Sequence, residues 1–152
     1  MNEANWAGPI QQMIDTNGNQ GGYLVVFPEY RPDQFQALAN QLGVETFDYR
    51  TQVMAQHGLA ADQISLSDLD AALDHLAKQG TFVTTNVEAL LAAKATDERS
   101  DWMARFLDTD RAHALLVPIV TLTEDLPAEH PRLYSIPNDA LPAQSFLNRL
   151  AF

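Results

Sequence analysis

The chain has 152 residues, 46% of them hydrophobic and 19% charged, with 9 basic side chains against 20 acidic ones and a net charge of −11. This length suits one domain with its own core, and the composition excludes a disordered or low-complexity protein. The absence of cysteine excludes disulfides, thiol nucleophiles and cysteine-bound zinc and fits a cytoplasmic setting, while the acidity opposes a phosphate backbone, so direct nucleic-acid binding is not expected.

The opening MNEANWAGPI has no basic segment ahead of an apolar run, and nothing approaches the roughly 18 apolar residues of a membrane span. Neither a secretory signal nor a membrane segment is expected. Trp6, Ile10, Met13 and Ile14 stand at helical spacing and predict a short amphipathic helix over residues 5–15, with Pro9 in its first turn. TNGNQGG then breaks the chain, and YLVVF follows as a strand covered on both faces. Phe35, Leu38 and Leu42 share one face of a helix that Gly43 stops. VETFDY is a strand polar enough to lie nearer an edge, and TQVMAQHG suggests a helical turn ended by Gly58.

Ser67 and Asp70 resemble a capping pair for a helix carrying Leu66, Leu69, Leu73 and Leu76 and closed by Gly80. TFVTT predicts a short strand, NVEALLA a return to helix, and DERSDWMARFL another helix carrying Trp102, Met103, Phe106 and Leu107. ALLVPIVTL is the most apolar strand, where Pro118 removes a backbone donor and predicts a bulge or an edge position. RLYSI predicts a last strand, and Pro142 opens a final helix through Leu150. Strand and helix alternate about four times, so residues 1–152 are expected to form a single α/β domain of three layers, with a mostly parallel sheet between helices.

The order of elements and the tail NVEALL resemble small P-loop NTPase-like proteins, in particular the F component of BREX phage-defence systems, over residues 5–135. The resemblance implies a phosphate loop in "FPEYRPDQF". It also implies a strand ending in an acid followed by the asparagine, aliphatic residue and glutamate that Asn86, Val87 and Glu88 match, and a sensor strand with Thr121 or Thr123 as its polar residue. Two positions depart from that pattern. The loop has no glycine or lysine; Pro28 and Pro32 each delete an N–H, Glu29 and Asp33 repel an anion, and Arg31 alone could compensate. Thr85 stands where an aspartate would anchor magnesium. The frame is thus expected without its pocket: P-loop-NTPase-like in architecture, without a P-loop, a cofactor or a metal.

Other constellations are weak. His57, His75, His113 and His130 lack the spacing of zinc ligands, although His113, just before the apolar strand, could reach the mouth of the sheet. Asp68, Asp70 and Asp74 read more simply as an exposed acidic face than as a metal site, Asp97, Glu98 and Asp101 as favourable charge at a helix start, and TEDLPAEHP as a surface loop. Ligands of open α/β sheets sit beyond the carboxyl ends of the strands. The residues expected there are Glu29, Tyr30 and Arg31, then Thr85, Asn86 and Glu88, then Thr121 and Thr123. Three functions fit: a non-catalytic accessory or regulatory protein that binds a protein partner, a small nucleotide- or phosphate-binding enzyme in which Arg31 replaces the lysine, and an acidic mimic of DNA.

Overall fold

Tyr23, Leu24 and Val25 are wholly buried because their strand has neighbours on both edges and helices on both faces. The computed structural model describes residues 5–142, and its five strands form one parallel sheet in the order β2-β3-β4-β1-β5. They are β1 Gly21–Val26, β2 Glu45–Asp48, β3 Phe82–Thr85, β4 Ala114–Ile119 and β5 Leu133–Ser135. The helices are α1 Gly8–Thr16, α2 Pro32–Leu42, α3 Tyr49–Gln52, α4 Leu66–Gln79, α5 Val87–Leu91 and α6 Thr96–Asp108. Beyond Pro142, which opens it, the expected final helix through Leu150 lies outside the described residues.

Alternate side chains of β1 feed two cores. Leu24 packs with Leu69, Leu73, Leu90, Trp102 and Phe106 from α4, α5 and α6, whereas Tyr23 and Val25 pack with Ile10, Ile14, Phe35 and Leu38 from α1 and α2. This is the three-layer arrangement that the alternation predicts. Each fully buried leucine contributes roughly 1.5–3 kcal/mol. Trp6 lies in the second core, edge-on to Phe27 at 5.9 Å between ring centroids. α2 ends as expected, with Gly43 left-handed at φ 72°, and β2 takes the sheet edge that its polarity suggested.

Several local expectations need correction. β1 begins at Gly21, so the last two residues of TNGNQGG belong to the sheet and only the residues before them form the break. The cap of α4 is Ser65, whose hydroxyl accepts from the Asp68 N–H at 3.0 Å, two residues before the pair that the spacing suggested. By contrast, the 3-10 segment that follows α3, Met54–Gln63, breaks at Gly58, whose φ of 56° and ψ of −126° end a helical turn as expected. Pro118 is neither on an edge nor at a bulge, since β4 lies between β3 and β1. The Ile119 carbonyl accepts from Phe27 N–H on the β1 side, so the alternation of the backbone turns the ring nitrogen of Pro118 towards β3. There the β3–β4 ladder already ends at Val83 and Leu116. The missing donor therefore falls where the two strands diverge.

Candidate functional site

That divergence makes the site. Beyond the last β3–β4 pair, a cavity of about 180 Å³ opens, lined by Tyr30, Phe35, Arg50, Asn86, Glu88, Ala89, Ala92, Pro118, Val120 and Thr121. A second cavity of about 230 Å³ adjoins it under Tyr30, Phe35 and Asn86 and adds Pro32, Gln36, Thr46, Asp48 and Thr85. Each is smaller than the roughly 300–1,000 Å³ of a site for a drug-sized ligand. Of the residues expected at this edge, Tyr30, Thr85, Asn86, Glu88 and Thr121 line these cavities. Glu29 and Arg31 line neither, and Thr123 sits in a 3-10 turn over Thr123–Asp125.

Arg31 is turned inward, 4% exposed. Its guanidinium forks onto Asp33, with Nε to Oδ1 at 3.1 Å and Nη2 to Oδ2 at 3.0 Å, and donates to Glu29 at 3.3 Å and to the Pro142 carbonyl at 3.0 Å. A bidentate pair of this geometry is the strong form of charge-assisted bonding. The hydrogen bonds from Arg31, working against burial, hold the Asp33 carboxyl below its usual range, and Asp33 in turn holds Arg31 firmly charged. The one cation of the first loop is thus consumed by the two acids flanking it. Tyr30 points the other way, 60% exposed, with its ring edge-on to Phe35 at 5.6 Å.

The turn after β3 is built on a left-handed asparagine. Asn86 has φ 66° and ψ 14°, a conformation this side chain tolerates better than most. Its Nδ2 donates to Asp48 Oδ1 at 2.8 Å across the β2–β3 edge. Asp48 also caps α3, accepting from Arg50 N–H at 3.0 Å, Thr51 N–H at 3.3 Å and the Thr51 hydroxyl at 2.9 Å. Burial pushes the Asp48 carboxyl up, but the bonds from Asn86, Thr51 and Arg50 outweigh it and hold the group below its ordinary 3.8. A carboxyl depressed by folding lends stability above its unfolded value and loses it as pH falls through the folded one. Asp48→Asn is therefore expected to lower the urea midpoint at about pH 6 and to lower it less at about pH 3, where the unfolded carboxyl has taken up its proton. An equal gap at both pH values would refute this assignment of the charge.

Glu88 is the most heavily bonded group at the edge. Val120 N–H approaches both carboxylate oxygens, at 3.0 and 3.2 Å, while Thr121 N–H at 2.7 Å, the Thr121 hydroxyl at 3.0 Å and Leu122 N–H at 2.7 Å converge on Oε2. It bridges the gap left by Pro118, from α5 after β3 to the turn that leaves β4.

Asp48 and Arg50 are not among the residues expected at this edge, all of which come from the loops after β1, β3 and β4. Their signal was present, since an aspartate closing a strand with threonine three residues on is a helix start. Arg50 is exposed, lines the first cavity and has no ion pair among the described residues.

The remaining candidates are engaged elsewhere. His113 precedes β4 and therefore stands at the amino end of the sheet, away from the mouth, bonded through Nδ1 to the Ala77 carbonyl at 2.7 Å. Asp70 is half-buried and accepts from Trp102 Nε1 at 2.6 Å, and Asp74 pairs with Arg111 at 3.1 Å, so this face is not simply solvated. Asp97 and Glu98 do occupy the first turn of α6. TEDLPAEHP lies on the surface but is pinned by Asp125, which pairs with Arg99 at 2.7 Å. Among the described residues no group of three or more acids and histidines could hold a metal ion, and no helix is long and apolar enough to cross a membrane. Comparison with protein-family models, with curated proteins and with solved structures gives no match to the chain.

Proposed function

We propose that this chain is a non-catalytic α/β protein that binds another protein through the carboxyl edge of its sheet, as an accessory or regulatory part of a larger assembly. The observation that carries this reading is that three charged groups at that edge are spent internally: Arg31 on Asp33, Glu29 and Pro142, Asp48 on Asn86 and its own cap, and Glu88 on the turn after β4. What faces outward is suited to contact. Tyr30 is 60% exposed over an apolar floor, Arg50 is free of ion pairs among the described residues, and Leu59, in the segment that follows α3, is fully exposed.

A P-loop-like ancestry of the frame is supported by placement. β4, the counterpart of the sensor strand, stands between β1 and β3, and the loops after all three share one end of the sheet. On that reading a phage-defence complex is the setting the resemblance suggests. The nucleotide-enzyme reading needs Arg31 free, and its burial and double pairing oppose that. The DNA-mimic reading needs rows of unpaired carboxylates, whereas Asp70, Asp74, Asp101 and Asp125 are each paired with an arginine.

Two measurements test the proposal. ATP with magnesium is expected to leave Tm unchanged within about 1 °C, because only a ligand that binds the native state stabilises it; a rise of several degrees would overturn the reading. A partner captured from the native host should be held by the parent chain and released by the double variant Tyr30→Ser, Arg50→Glu. Equal capture by both would move the contact off this edge.

A further inference from the structure

The geometry points to a carboxylate-binding site in the turn after β4 that the chain fills with its own Glu88. Three consecutive amides, Val120, Thr121 and Leu122, and the Thr121 hydroxyl all aim at one carboxylate, four donors reaching Oε2 within 3.2 Å. Successive N–H groups that converge in this way form an anion-binding concavity. Leu122 is the N-cap residue of the 3-10 turn at Thr123–Asp125, whereas the Val120 and Thr121 amides and the Thr121 hydroxyl belong to the turn ahead of it.

Two further observations make it a site and not only a brace. The carboxylate reaches it from α5, 32 to 34 residues away in sequence, so nothing in the turn itself demands that the anion be covalently attached. The same glutamate and the same turn also line the 180 Å³ cavity, next to Arg50, which has no ion pair among the described residues, and at exposed Thr121, so an outside anion has room to approach and a cation beside its path. Glu88 thus acts as an internal ligand that keeps the site closed to other small carboxylates. This inference does not depend on the protein-binding reading, because it concerns Val120–Leu122 and Glu88 whatever docks at Tyr30.

Replacing Glu88 by alanine removes a fragment the size of acetate, which sets the test. Glu88→Ala is expected to melt roughly 5–10 °C below the parent in sodium chloride, because the part-buried Val120 and Leu122 amides lose their acceptor. Exchanging chloride for acetate at equal ionic strength should then return roughly 3–5 °C once acetate exceeds its dissociation constant about tenfold. The parent should show no acetate gain, since its site is filled. Acetate and chloride acting alike on the variant would overturn the proposal, and so would an equal acetate gain in the parent. Should the variant not fold in chloride, refolding to the native circular dichroism signature in acetate supports the site, and failure in both salts refutes it.

Discussion

Gly22→Ala is expected to cost about 3 kcal/mol, the upper end of what overpacking a tight core does, and to lower Tm by about 6–12 °C. A β-carbon at position 22 would fall 2.7 Å from Cε2, Cζ and the backbone oxygen of Phe106. The ring could turn aside, but the carbonyl is part of α6 and cannot move without the helix. α6 lies on β1 because only a hydrogen stands between them, and β1 pairs with β4 and β5 on its two edges, so a shift spreads through the sheet. Urea unfolding of the alanine variant measures the cost. Adding Phe106→Leu should recover only part of it, because the oxygen remains. A variant within about 0.5 kcal/mol of the parent would show that β1 and α6 do not meet this closely.

Trp102→Ala is expected to be the most damaging truncation, at about 3–5 kcal/mol. The indole is wholly buried, stacks on Phe106 at 4.9 Å with 19° between planes, and donates to Asp70 at 2.6 Å. Its removal empties the middle of the core under α4 and α6 and leaves half-buried Asp70 without that donor. Trp102→Phe keeps most of the volume and loses the hydrogen bond, so it should cost less, about 1–2 kcal/mol. The two losses, read by urea midpoint and by near-ultraviolet dichroism, separate the cavity from the hydrogen bond. If phenylalanine cost as much as alanine, the bond to Asp70 and not the packing would dominate.

These two positions and the edge belong to one account. The frame is stabilised where Trp102, Phe106 and Gly22 interlock, and its carboxyl end is stabilised separately by Arg31, Asp48 and Glu88, each drawing on donors or acceptors that a ligand would otherwise use. Such an edge presents shape and a few exposed side chains.

Much of the fold was legible in the residues. The apolar run from Tyr23, the spacing of Phe35, Leu38 and Leu42, left-handed Gly43, the polar β2 and the leucines of α4 carry their own structure, because hydrophobic period and capping act within one or two turns of chain. The same locality explains the near misses: Ser65 and Ser67 both offer a plausible cap, and only the packing of Leu69 and Leu73 selects the first. The site was legible as a list of positions but not as chemistry. Whether Pro118 sits on an edge, whether Gly22 ends a strand or admits a helix, and whether Glu88 is open or bonded depend on strand order and on partners far along the chain. Arg31 reaches Pro142 across 111 residues, and Glu88 reaches Thr121 across 33. Hydrogen-bond donors are satisfied in space, so tertiary packing alone decided which charges remained free.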